Sequence, residues 1–397
     1  MRGVPRPAVS PHAPGPEWTG VGPGVYRRDT SMALDTSAES IDTTGAWHTV
    51  EPISGIGAGL QPVFLDLETS GLSGGAGSVA FLVGLGRLRP GAVTVTQFFL
   101  TDFAAEPALI DAVHDVLSEA RAPLYVTYNG GSFDLPVMRT RFIMSRRHFP
   151  EAAHWDLLHL TRRLYRHRLG SCTLGRVERL VLGLSRDEDV PGQEVPARYL
   201  RFLETGDPAE VQGVAAHHFY DVANLAVLAL RLNGILRRAV EHGEADDADR
   251  LGLARLFLQR GGPEHLAICR RVLDGELEET ARRRNELRAA VTGRGLASRL
   301  ARTAGPRWLA SRELAAVVAR RRGADTELIA LRWELFRERG SRHDAIELAK
   351  ALEHRSKAYR RAVEVLDHWQ GRNDPSHRDL EIEHRRRRLV RRTGDLP

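Results

Sequence analysis

Three runs of apolar residues follow one another at residues 63–67, 79–86 and 93–100, separated by the Gly-rich stretch around Gly74-Gly75 and by Arg89-Pro90-Gly91. Runs of this length bounded by turn residues read as strands, so the stretch predicts a meander of three. The period then changes. Leu109, Ile110, Val113, Val116 and Leu117 fall at helical spacing within 106–119, and Pro107 suits a first helical turn. A strand at 124–128 follows, then a helix opening at Asp134 with Val137, Met138 and Phe142, a short strand at 154–158, and a long helical run from about 208 to 240. That order predicts an α/β domain with a mixed five-stranded sheet flanked by helices.

The first strand carries chemistry. A strand turns alternate residues to opposite faces, so in Val63-Phe64-Leu65-Asp66-Leu67-Glu68 the two acids share one face and Leu65 and Leu67 take the other. Two adjacent carboxylates repel unless a cation joins them. Asp134 in Asn-Gly-Gly-Ser-Phe-Asp and Asp221 in His-His-Phe-Tyr-Asp add two more acids at element ends. An all-oxygen donor set suits Mg2+ or Mn2+, and two such ions roughly 3.5–4 Å apart can clamp both oxygens of a phosphodiester displacement. Each segment alone has a plainer reading. An Asp-x-Glu is often an exposed strand edge, Asp134 a helix N-cap, and a His with an Asp one turn on a surface pair. Asp156 reads equally as a cap for the next helix or as support for the site.

The flanks are organised differently. Residues 1–50 hold Pro5, Pro7, Pro11, Pro14, Pro16 and Pro23 with no apolar period, which predicts a disordered lead-in. After Gly243 strand signals vanish, and Leu-Ala recurs at Leu253, Leu314 and Leu348 as if opening helix pairs. The last two copies are spaced as tetratricopeptide (TPR) pairs are, and plain helical hairpins fit as well. The chain of 397 residues therefore predicts three parts: 1–50, an enzyme domain over 51–242 and an all-α domain over 243–397.

Composition narrows the partners. The net charge is +6, and only Lys350 and Lys357 are lysines, so the basic charge is almost all arginine. Arginine matches phosphate bidentately, which favours nucleic acid, although a GC-rich genome produces the same bias. Two cysteines, Cys172 and Cys269, offer neither a disulfide framework nor a thiolate metal cluster. With no apolar run of about 18 residues and no signal-like N-terminus, the expectation is a cytoplasmic protein without a membrane role.

In this order, the acid-bearing segments resemble the three exonuclease motifs of the DEDD superfamily. His154-Trp155-Asp156-Leu157-Leu158-His159-Leu160, Leu169-Gly170-Ser171-Cys172-Thr173-Leu174, Asp189-Val190-Pro191-Gly192 with Val195-Pro196, and His217 through Leu225 look like the YprB-type ribonuclease H-like domain, over about 45–240. A helical repeat region often follows in that family. The resemblance implies an RNase H-like nuclease using two Mg2+ or Mn2+ ions on single-stranded or 3′-ended DNA or RNA, with hydrolysis from the 3′ end. It implies that Asp66 bridges the two ions, Glu68 and Asp221 complete the first shell, and Asp134 holds the second ion through water. Asn129, five residues before Asp134, would position substrate or its own loop; apart from the resemblance, Thr69 and Arg176 are candidate substrate contacts, and Arg176 fits a solvated face as well.

The third motif departs from the family. A tyrosine four residues, or a histidine five residues, before the last Asp is the usual base, whereas here the fourth position back is His217 and the fifth is Ala216. His217 is favoured as general base and His218 as a surface residue. The competing expectation is a nucleic-acid-binding scaffold with a weak or inactive site, recruiting protein partners through the C-terminal helices and the run His384-Arg385-Arg386-Arg387-Arg388.

Overall fold

The computed structural model describes residues 12–34, 60–71, 77–186, 190–290, 294–372 and 379–394. The chain divides into two compact units, Met1–Arg237 and Arg238–Pro397.

In the first unit the strands are β1 (Thr19–Gly22), β2 (Val25–Ala33), β3 (Gln61–Thr69), β4 (Ala80–Arg89), β5 (Ala92–Leu100), β6 (Pro123–Thr127) and β7 (Ala153–Asp156). They form one sheet in the order β1-β2-β5-β4-β3-β6-β7. The expected meander is β3-β4-β5, antiparallel throughout, while β6 joins β3 and β7 joins β6 in parallel. The helices are α1 (Glu106–Ser118), α2 (Asp134–Met144), α3 (Leu157–Leu169), α4 (Leu174–Val177), α5 (Val195–Thr205) and α6 (Ala209–His242). Each parallel strand is reached through a helix, α1 before β6 and α2 before β7, as a parallel pairing requires.

The sheet has seven strands rather than the expected five, because part of the supposed lead-in is ordered. β2 pairs antiparallel with β5 along its whole length, from Val25 opposite Leu100 to Ala33 opposite Ala92. Apart from the buried Val25, its side chains are half-buried or exposed, so main-chain bonds hold it and no apolar period announces it. Trp18 anchors the start, buried with its ring edge-on to Phe99 at 5.6 Å. The rest of the expected lead-in, 1–11 and 35–50, lies outside the described residues, as do Gly74-Gly75 and Asp189.

By length and composition α6 is apolar enough to cross a membrane, yet 72% of its apolar stretch is buried inside the fold. Val211, Val214 and Ala215 join the core that the sheet and α1 build with Phe81, Phe99, Leu109 and Val113. Burial against the protein's own core accounts for the hydropathy.

The second unit contains α7 (Arg250–Arg260), α8 (Gly262–Ala290), α9 (Arg294–Arg322), α10 (Asp325–Arg339), α11 (Arg342–His354), α12 (Tyr359–Arg372) and α13 (Leu380–Thr393). Each packs on the next in sequence. Asp249, Ser341 and Asp379 cap α7, α11 and α13 by accepting from their first-turn amides. One expectation is corrected. Leu314 lies deep inside α9 instead of opening a helix, so the repeat of Leu-Ala does not mark helix starts. The arginine run is also committed internally: Arg385 and Arg388 pair with buried Glu353, Arg386 with Asp367, and Arg387 with Glu383. Only Arg387 meets an acid one helical turn away; the others reach acids on neighbouring helices, which a linear reading of charge does not show.

Candidate active site

On β3, Asp66 and Glu68 share a face with buried Phe64, and Leu65 and Leu67 are buried on the other. The antiparallel register sets Gly84 of β4 opposite Asp66 and Gly86 opposite Phe64. A Cβ on Gly84 would lie 2.5 Å from both His218 Cε1 and Val222 Cγ2, and one on Gly86 would lie 3.0 Å from Val222 Cγ1. Two glycines in a central strand thus let α6 come close to the acidic face.

The same rung of the sheet runs on through Gln97 of β5, opposite Gly84, to Arg28 of β2, opposite Gln97. A guanidinium only donates, so Gln97 Oε1 receives Arg28. The Gln97 amide nitrogen then donates to Ala215 O and to His218 Nδ1, each at 2.9 Å. His218 keeps its proton on Nε2, 3.1 Å from the carbonyl oxygen of Asp66. Burial pushes this imidazole down to about 4, so it is neutral at pH 7. His218 is therefore fully buried, contrary to the expected surface position.

His217 and Asp221 stand one helical turn apart, with His217 Nε2 3.1 Å from Asp221 Oδ2. The other carboxylate oxygen of Asp221 accepts from Arg186 at 2.6 Å. Arg186 also reaches Glu178 Oε1 at 2.5 Å, and Asn224 donates to the same oxygen at 2.9 Å. Ligand atoms of Glu68, His217 and Asp221 lie within 4.8 Å of one another.

Asp134 enters from the turn between β6 and α2. Asn129 adopts φ 67° there, a conformation that Asn tolerates. Asp156 holds this turn, accepting from the Asn129 amide at 2.8 Å and the Gly131 amide at 3.3 Å. The same carboxylate caps α3 through the Leu158 amide at 3.1 Å, so it fills both of its expected roles. Asp134 in turn accepts from its own amide and from that of Leu67, which lies between Asp66 and Glu68. The second acidic segment is thereby tied to the first.

These carboxylates disturb one another. Burial, then the neighbouring Asp134, Asp221 and Glu68, holds Asp66 well above the carboxylate range. Burial and the charge of Asp221 push Glu68 up to about 8, with His217 opposing. Burial pushes Asp134 up to about 7 against its amide hydrogen bonds. For Asp221 burial acts upward, but His217 and Arg186 outweigh it and leave the carboxyl below its ordinary value. The half-buried Asp66 and Glu68 and the buried Asp134 take up protons for want of positive charge, and with the donor atoms of His217 and Asp221 that converge on Glu68 they are a donor set that fits divalent cations preferring oxygen.

The fold thus gathers Asp66, Glu68, Asp134, His217 and Asp221. The remaining expected residues are placed otherwise. Asn129 is exposed at its turn, and its main-chain N–H donates to Asp156. The buried Thr69 hydroxyl donates to Gly71 O at 2.7 Å. Arg176 donates to Leu169 O at 3.0 Å. Sequence reasoning passed over Arg186, Glu178, Gln97 and Arg28. Arg186 lies in a polar segment between α4 and α5, but its partner Asp221 is 35 residues away, and no local pattern joins them.

Residues 63–233 match the RNase H superfamily. The chain is 36% identical over 198 residues to protein YprB of Bacillus subtilis (strain 168), an alignment covering 49% of this chain and 47% of YprB, so the chain spans about half the length of that relative. Among solved structures it resembles the family B DNA polymerase of the hyperthermophilic archaeon Pyrobaculum calidifontis, with a TM-score of 0.39 and 17% identity over 52% of this chain and 29% of the polymerase.

Proposed function

We propose that residues 63–233, which match the RNase H superfamily, form a metal-dependent nuclease domain that removes nucleotides from the 3′ end of DNA or RNA with two Mg2+ or Mn2+ ions. The observation that carries this reading is the convergence of Asp66, Glu68 and Asp134 with Asp221, whose charges act on one another although they come from three separate elements.

Asp66, Glu68, Asp134 and Asp221 would hold the cations. Glu68 and Asp221 belong together at the His217 end, and Asp134 is the strongest charged neighbour of Asp66. Bound there, such a pair supplies an activated water and offsets charge on the phosphoryl oxygens. His217 accepts the proton of the attacking water at a ring nitrogen, which it can do only when neutral. His218, behind the site, holds the main chain at Asp66 and so keeps that carboxylate aimed. Asp156 does the same for the turn that delivers Asp134.

The test is degradation of labelled single-stranded DNA and RNA, each blocked at one end or the other, with Mg2+ or Mn2+. Shortening from a free 3′ end, lost in Asp66→Asn, supports the reading. No cleavage of any substrate, or equal cleavage by Asp66→Asn, overturns it.

A further inference from the structure

Asp221 has both carboxylate oxygens engaged. Oδ1 accepts from Arg186 at 2.6 Å, and Oδ2 lies 3.1 Å from His217 Nε2. Arg186 reaches His217 as well, with its other terminal nitrogen, Nη1, 3.5 Å from the ring Nδ1 and 3.3 Å from the carbonyl oxygen. One guanidinium thus engages both residues of the segment to which metal binding and proton transfer are assigned above.

A divalent cation and a guanidinium compete for that oxygen. A cation close enough to Asp221 to be ligated would stand within a few ångströms of the guanidinium, and like charges at that range inside a buried site repel strongly. Arg186 has a second anchor that keeps it nearby. Glu178 is buried, is itself held by Asn224, and lies outside the group of Glu68, His217 and Asp221. Arg186 can therefore release Asp221 and stay on Glu178. Its carbon Cζ also lies 5.8 Å from the ring of Tyr220, which is 43% exposed and marks the solvent side of the guanidinium.

We propose that Arg186 is the counter-ion of Asp221, and that it yields this carboxylate to an incoming divalent cation and turns the N–H so released to a phosphate of the substrate. This inference rests on the nuclease reading and adds a phosphate-contacting residue to it. The planar fork of arginine suits a phosphate, and the charge that offsets Asp221 before loading offsets substrate charge afterwards.

The two halves of the inference have opposite signs. In the full-length protein, calorimetry should show Arg186→Gln binding Mn2+ more tightly, by roughly tenfold or more, because the competing cation is gone. In saturating Mn2+ the same variant should bind thymidine or uridine 5′-monophosphate more weakly, on the order of tenfold. Arg186→Lys should keep near-wild-type Mn2+ affinity but lose part of the monophosphate affinity, since an ammonium cannot fork. A loss of both affinities in the glutamine variant would mean that Arg186 only props the site, and unchanged Mn2+ affinity would mean that it does not compete; either result overturns the inference. Tighter Mn2+ binding without weaker monophosphate binding overturns the phosphate role. Should the glutamine variant not fold, a lysine variant equal to wild type on both ligands overturns the inference just as well. Wild-type protein that binds no Mn2+ would instead remove the nuclease reading itself, and this inference with it.

Discussion

The imidazole of His218 occupies the room that a side chain on Gly84 would need, since a Cβ there would come 2.5 Å from His218 Cε1. Gly84 is the gap in a rung whose other members are Arg28, Gln97 and Asp66. The histidine fills that gap from α6, bonding Gln97 on one side and the Asp66 carbonyl on the other. Helix, sheet and acidic strand are registered against each other at this point.

Gly84→Ala should therefore destabilise the fold by about 1–3 kcal/mol, the cost of overpacking a tight interior. It should also weaken Mn2+ binding, because α6 carries Asp221. Gly175, with nothing within 4 Å of an added Cβ, is the control. Denaturant midpoints and Mn2+ titrations check both, and a Gly84→Ala protein as stable as wild type would refute the packing argument.

The two adjacent histidines should separate cleanly. His218→Ala removes a buried side chain and takes a partner from one Gln97 N–H and from the Asp66 carbonyl, at a cost of about 2–4 kcal/mol. His217→Ala should leave stability nearly unchanged yet lower turnover by roughly 10²–10⁴, the range for a positioned acid-base group. Unfolding curves and single-turnover rates for both variants decide it; a stability loss at His217 equal to that at His218 would contradict the assignment.

Metal-free protein should lose stability as pH rises from about 4.5 to 8, with His218 no longer opposing the trend above 6.5. Glu68, ordinarily at 4.5 but at about 8 in the fold, keeps a proton that the unfolded chain has released, and Asp134 at about 7 adds the same sign. Their stabilisation is full below the unfolded values and is lost as pH passes the folded ones. His218 acts oppositely and lower down. Its folded value of about 4 against 6.5 means that its own contribution falls as pH drops below 6.5, offsetting part of the acids' opposite trend there. Urea unfolding in EDTA should show the decline above 6.5, Mn2+ should abolish it, and Glu68→Gln should flatten it. A rising or flat metal-free profile there would show that the acids are not held protonated.

Deleting residues 1–34 should cost solubility and stability. It would uncover the buried strand β5 along its whole length and take Arg28 from Gln97. An exposed apolar strand edge invites self-association. Sedimentation of the shortened chain is the measurement, and a stable monomer would show that β1 and β2 are dispensable.

The sequence by itself determined the features that depend on local period. Alternation placed Asp66 and Glu68 on one strand face with Leu65 and Leu67 opposite, and the change from strand to helical spacing ordered β3 through α2 along the chain. Only the tertiary structure decided what long-range register controls. β2 belongs to the sheet through main-chain pairing with β5, which its polar side chains do not advertise. His217 and His218 are neighbours, but successive helical residues point about 100° apart. Which of them meets the acids is set by where α6 crosses the sheet, and that crossing depends on Gly84. Arg186 finds Asp221 across 35 residues because folding brings a loop and a helix together, and a buried charge demands an opposite one wherever the chain can supply it.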